Sequence, residues 1–210
     1  GGGVELEGRE VLNFSSNDYL GLANHPDILK AVQEGLQTHG FGLASVRLIC
    51  DTQDIHKTLE RELTEFLGTE DTILYTSCFD ANAGLFETLL RAEDAIISDA
   101  LNHASIIDGL RLSGAQKHIY RHIDSGELEK ELARPHPGGK TFIVTESYFS
   151  MDGDIAPLER YTALAAKYSA SLLVDDAHAT GIFGPHRGSG LAEELGIERD
   201  CAAIVSTFGK

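Results

Sequence analysis

Apolar residues recur along the chain in two patterns. Short runs rich in β-branched residues predict strands at Thr72–Ser77 (TILYTS), Ala95–Asp99 (AIISD), Lys117–Arg121 (KHIYR), Thr141–Ser147 (TFIVTES), Ser171–Asp176 (SLLVDD) and Ala202–Thr207 (AAIVST). Several are apolar at consecutive positions, as strands covered by helices on both faces tend to be. Between these runs the period lengthens. Ile55, Leu59, Leu63, Phe66 and Leu67 share one face of a helix, with Asp54 as its expected cap. Pro26 and Pro157 stand where a first-turn proline would, ahead of amphipathic stretches. Further helices are expected over about 80–91, 104–113, 125–133 and 158–169. ARPHPGG (133–139) reads as a surface loop. The alternation predicts an α/β fold with a mainly parallel sheet and helices on both faces.

Composition narrows the function classes. The chain has 210 residues and a hydrophobic fraction of 42%, enough for a sizeable core. No apolar run approaches the roughly 20 residues that span a bilayer, and GGGVELEGRE is not a signal peptide. With 33 acidic and 17 basic residues the formal net charge is −16, which argues against nucleic acid as a partner. Small anions remain possible ligands, because helix N-termini hold phosphate without net positive charge. Cys50, Cys78 and Cys201 are far apart and odd in number, so free thiols in a reducing cytoplasm are expected. No His or Cys cluster has metal-ligand spacing, so no metal is expected.

In a parallel α/β sheet, ligands bind beyond the carboxyl ends of the strands. Residues just after each predicted strand are therefore the candidates. Cys78 and Phe79 open a helix after TILYTS, and their amides would face an anion; Ser77 or Asp80 could equally be a simple cap. His103 follows AIISD, either as a satisfied core histidine or as a flat ring against a flat ligand. Ser150 sits at the mouth of the Gly/Asp-rich turn after TFIVTES. Asp175 ends a buried apolar run, where a carboxylate is costly unless it meets a cation or good donors. Thr207 and Lys210 place a hydroxyl and an amine on one turn after AAIVS. Pyridoxal phosphate would use all five endings. It needs a lysine, a carboxylate on its pyridinium nitrogen, a polar group such as His178 near its phenolate oxygen, a stacking ring and an anion cradle.

The chain resembles the α-oxoamine synthases among the fold-type I pyridoxal-phosphate enzymes. The resemblance rests on NFSSNDYLGLANHP (13–26), SVRLICDTQDIHKTLE (45–60), SCFDANAGLFETLL (77–90), SDALNHASIIDG (98–109), FSMDGDIAPL (149–158), VDDAHATGIFG (174–184) and STFGK (206–210), in that order. It implies that Lys210 forms the Schiff base and removes the substrate Cα proton. Asp175 would hold the pyridinium nitrogen, His178 the phenolate oxygen, and His103 would stack on the ring. The Cys78 and Phe79 amides and the Thr207 hydroxyl would hold the phosphate. Ser150 would lie near cofactor and substrate, and Asn17 would help hold the amino-acid carboxylate.

The resemblance further implies a homodimer acting on an amino acid and an acyl-CoA or related thioester. Residues 1–37 would be an N-terminal segment contributing to the active site and small domain. Residues 38–210 would belong to the cofactor-binding large domain, and a small domain would lie beyond. SVRLICDTQDIHKTLE and CFDANAGLFETLL are similar to members joining glycine to an acetyl group. VTESYFSMDGDIAPL and TFGK lean toward those joining alanine to a pimeloyl group. Asp51 departs from the family, which usually has glycine there; a φ above zero would strain an aspartate.

Other classes fit less well. HGFGLAS (39–45) is not the glycine fingerprint of a dinucleotide site, and GPHRGSG (184–190) is not a nucleophile elbow.

Overall fold

The computed structural model describes residues 3–136 and 138–210; Gly1, Gly2 and Pro137 of the expected 133–139 loop lie outside them. The rest of that loop is irregular and largely exposed. The chain divides into two compact units, Gly1–Leu59 with Gly209–Lys210, and Glu60–Phe208.

The first unit opens with a hairpin of β1 (Gly3–Leu6) and β2 (Arg9–Leu12), in antiparallel register. Its two-residue turn is Glu7-Gly8, both at positive φ (51° and 73°), which matches the twist of the flanking strands. Helix α1 (Pro26–His39) has its proline in the first turn, as expected, with His25 as cap. Arg47–Asp51 forms one π-helical turn, and α2 (Asp54–Leu67) begins at the aspartate expected to cap it. None of the described residues up to Leu59 is buried. Asp51 is not among the described non-glycine residues at positive φ, which are Glu7, Ile123 and Ser169. The strain anticipated for it is therefore absent, and its carboxylate instead accepts the Ser45 amide.

The second unit is a five-stranded parallel sheet in the order β4-β3-β5-β6-β7. The strands are β3 (Ala95–Asp99), β4 (Gln116–Tyr120), β5 (Thr141–Glu146), β6 (Ser171–Asp175) and β7 (Cys201–Val205). Helices α3 (Cys78–Leu89), α4 (Ala104–Leu112), α5 (Ser125–Leu132), α6 (Leu158–Tyr168) and the short α7 (Leu191–Leu195) complete it. Alternate strand residues face opposite ways. Ile96, Phe142, Val144 and Leu173 pack with Phe86, Ile106 and Leu110 of α3 and α4. Ile97, Ile143, Leu172 and Val174 pack with Leu128, Leu158, Leu164 and Leu191 of α5, α6 and α7. The apolar runs are continuous because both faces are covered.

Two expectations need correction. Thr72–Ser77 is not a strand: among the described residues it joins no ladder, and Ile73 is 70% exposed. A β-branched run becomes a strand only where a neighbour takes its backbone donors and acceptors. Pro157 is the residue before α6 rather than its first residue.

Candidate active site

The parallel register brings the carboxyl ends of the strands to one edge. Glu146 at the end of β5 pairs with Asp175 at the end of β6, and Asp175 pairs with Val205 at the end of β7. The residues just beyond each strand are thus gathered along one side of the sheet.

Asp175 is the centre of this edge. It is buried, and neutral donors surround its carboxylate. Oδ1 accepts the Ala177 amide at 3.0 Å, and Oδ2 accepts Asn82 Nδ2 at 2.8 Å. The Cys78 thiol also points at Oδ2, with sulfur 3.8 Å away. That contact places the start of α3 beside the carboxylate. Ser77 caps α3 by accepting the Asp80 amide at 3.0 Å, so the plain capping reading holds. The cap leaves the geometry of an anion site intact, because the amides that open a helix have no intrahelical acceptor. Phe79 is 44% exposed at this turn.

His103 follows β3 and caps α4, its Nδ1 accepting the Ser105 amide at 3.2 Å. Its own amide donates to Glu146 Oε1 at 2.5 Å, and its residue is exposed. An exposed ring pinned by its backbone and one nitrogen offers a flat face to a ligand. Asn82 connects this histidine to Asp175 through Ser105. The helices come this close because Gly109 on α4 has no side chain: a Cβ there would stand 2.8 Å from Phe86 and 3.0 Å from the Asn82 carbonyl oxygen.

Three further candidates of the second unit lie in the turns that follow its strands. His178 is half-buried in the turn after β6. Thr207 is half-buried after β7, where the Asp176 amide donates to Val205 O at 2.8 Å and the Thr180 and Ser206 hydroxyls meet at 2.6 Å. Ser150 is exposed on a turn closed by Phe149 N–H donating to Asp154 O at 2.9 Å, with Gly153 at φ 79°. Asn17 and Lys210 belong to the first unit. Asn17 is exposed, its side-chain oxygen accepting the Tyr19 hydroxyl at 3.2 Å, and Lys210 is half-buried.

Beside Asp175, the second acid of the DDAH motif does different work. Asp176 is fully buried and accepts the Ser147 hydroxyl and the Leu191 amide, the latter at 3.3 Å. Burial pushes its carboxyl up to about 6, with the Asp175 charge adding to the rise and these hydrogen bonds opposing it. Glu193 shows the reverse balance. Burial raises its pKa, but the Ser189, Arg187 and His186 amides and the Ser189 hydroxyl outweigh that and hold it at about 2. Together these two carboxylates fasten the 184–192 segment next to the site.

Sequence pattern alone passes over Asn82, Ser105, Glu146 and Asp176. Asn82 carries one usable signal: it lies four residues after Cys78, hence on the same face of α3. The others become visible only through register.

The chain belongs to the aminotransferase class I and II family, whose model matches residues 9–210. Among individual proteins it is 54% identical over 206 residues to the 2-amino-3-ketobutyrate coenzyme A ligase of Escherichia coli K12, covering 97% of this chain and 52% of the relative. It is 44% identical over 207 residues to the 8-amino-7-oxononanoate synthase of Lysinibacillus sphaericus, covering 99% of this chain and 53% of the relative. The structure of Sphingomonas wittichii serine palmitoyltransferase superimposes with a TM-score of 0.95 at 38% identity, over 100% of this chain and 52% of that one. A high-resolution structure of SPT with PLP gives 0.94 at 34% identity, over 100% and 52%. The chain therefore spans about half the length of the relatives it matches.

Proposed function

We propose that the strand-end edge around Asp175 holds pyridoxal 5'-phosphate and serves an α-oxoamine synthase. The favoured reaction joins glycine and acetyl-CoA to give 2-amino-3-ketobutyrate and coenzyme A. The observation that carries this is the Asp175 carboxylate, buried at a strand end among neutral donors. Its charge is left for a cationic atom of a ligand, and a pyridinium N–H is such an atom.

The surrounding residues fit the group. The start of α3 supplies outward amides for a phosphate, with the Thr207 hydroxyl as a further donor. His103 offers an exposed ring for stacking, and His178 a polar group for the phenolate oxygen. Lys210 is the amine that holds the cofactor and then takes the proton from the substrate Cα. Ser150 and Asn17 are assigned to the substrate side, Asn17 to the carboxylate. Bound there, pyridoxal phosphate supplies an electron sink for the pair left on Cα. The new C–C bond forms between Cα and the acyl carbonyl carbon, the C–S bond breaks, and coenzyme A leaves as its thiol.

The choice of acyl donor rests on the two relatives, of which the ligase is the more similar. A second reading, alanine with a pimeloyl thioester as for an 8-amino-7-oxononanoate synthase, is supported by the 44% relative. Turnover of glycine with acetyl-CoA against alanine with pimeloyl thioester, by the chain extended to the relatives' length, separates the two. Preference for the second pair would overturn the first reading. The 210-residue chain alone should turn over little, and steady-state product from it would contradict that.

We also assign a homodimer, with a reducing cytoplasm as its setting. Exposed Phe14 (90%), Phe41 (97%) and Leu48 (99%) in a unit with no buried described residue support a covering partner. No helix is long and apolar enough to cross a membrane among the described residues.

A further inference from the structure

Asp175, Asn82, Ser105 and His103 form one hydrogen-bonded chain, buried at its first three members and exposed at His103. Asn82 is 1% exposed and Ser105 is 1% exposed. Asn82 Nδ2 lies 2.8 Å from Asp175 Oδ2 and 3.0 Å from Ser105 Oγ, and Ser105 Oγ lies 2.8 Å from His103 Nδ1.

The protons in this chain have one consistent arrangement. An ionised carboxylate only accepts, so the atom of Asn82 facing Asp175 is its nitrogen. That nitrogen donates its second hydrogen to Ser105 Oγ. A serine oxygen can accept twice, so the direction of its contact with His103 Nδ1 is set at the far end. There the Ser105 backbone amide, which can only donate, points at His103 Nδ1 from 3.2 Å, and the Ser105 hydroxyl donates to the same nitrogen. Nδ1 is thus an acceptor twice over, and the ring proton resides on Nε2. One cost accompanies this arrangement. Asn82 Oδ1 is buried with no hydrogen-bond partner among the described residues. Such an orphan is tolerated where the partnered half of the amide has work to do.

We propose that Asn82 is a positioning residue which, through Ser105, orients Asp175 and locks His103 as the Nε2–H tautomer, so that the two residues act on the cofactor as a unit. The affinity part rests on the pyridoxal-phosphate reading; the tautomer part does not.

Two measurements test it. In the ¹⁵N-histidine-labelled 210-residue chain, long-range ¹H–¹⁵N spectra report which nitrogen of His103 carries the proton, with the signal assigned by its loss in His103→Gln. Nε2–H is expected, and an Nδ1–H signal overturns the proposal whether or not the chain binds the cofactor. The second is the equilibrium affinity of the apo chain for pyridoxal phosphate, followed by absorbance, in Asn82→Ala, Ser105→Ala, the double variant and Ser105→Thr. Asn82→Ala should weaken binding about tenfold, and the double variant should be weaker than Asn82→Ala by less than about twofold, because groups in one network are not additive. Ser105→Thr keeps the hydroxyl and should restore binding to within about twofold of the unmodified chain. Multiplicative losses, or an Asn82→Ala chain that folds and binds as tightly as the original, would sink the proposal. If the unmodified chain binds no cofactor, the functional reading fails and the tautomer alone decides the network.

Discussion

Adjacent residues in VDDAH carry opposite burdens. Asp175 accepts hydrogen bonds from neutral donors at the strand end; Asp176 faces the scaffold and gives part of its charge up to burial. Asp175→Ala should therefore cost cofactor affinity without unfolding the chain. A charge-assisted hydrogen bond contributes about 1.5–3 kcal/mol, so a loss of roughly ten- to a hundredfold is expected in a pyridoxal phosphate titration. Unchanged affinity would remove Asp175 from the site. For Asp176 the sign runs the other way. Its folded pKa of about 6 lies above its ordinary 3.8, so the folded state binds the extra proton between those values. Its contribution is fully present below about pH 4 and is lost as pH rises through about 6, on the order of 2–3 kcal/mol in all. Asp176→Asn should flatten that part of the profile of melting temperature against pH. An unaltered slope between pH 4 and 6 would show that Asp176 does not titrate there.

Elements follow from sequence where the burden is local. Four of the five strands of the parallel sheet differ from expectation by at most one residue at each end or match it, and the helices over 104–112 and 125–132 begin where the pattern places them. The departures have physical causes. The Thr72–Ser77 run has the composition of a strand, yet strand formation depends on a neighbour that sequence periodicity does not report. The β1–β2 hairpin was hidden because each strand is only four residues long and mixes charged with apolar positions, leaving Glu7-Gly8 as the turn signal. Helix contacts are similarly silent in sequence. Gly109 looks like a weak point in α4 until α3 is seen against it. Gly109→Ala should destabilise the chain by about 1–3 kcal/mol and also weaken cofactor binding, because pushing α4 outward parts Ser105 from Asn82. A melting temperature and affinity both equal to the parent's would mean that the helices do not pack this closely.

At the scale of the whole molecule, the positions of His103, Ser150, His178 and Thr207 after strands were legible because a parallel sheet gathers such turns by topology alone, whereas Cys78 and Phe79 follow a run that is not a strand. The connections were not legible: Asn82 to Asp175 spans 93 positions, a contact that only register creates. Association is the other property of this scale. The described residues of the first unit expose large apolar side chains, so sedimentation of the chain extended to the relatives' length should give a dimer, and a monomer across the micromolar range would argue against one.

We propose Lys210 as the amine that takes the cofactor. Pyridoxal phosphate is added to the 210-residue chain, the product is reduced with borohydride, and peptides are mapped by mass. One cofactor mass should be fixed on the peptide ending in Lys210, and Lys210→Ala should lose both that mass and the accompanying visible absorbance. Label spread over other lysines and unchanged in Lys210→Ala would contradict it.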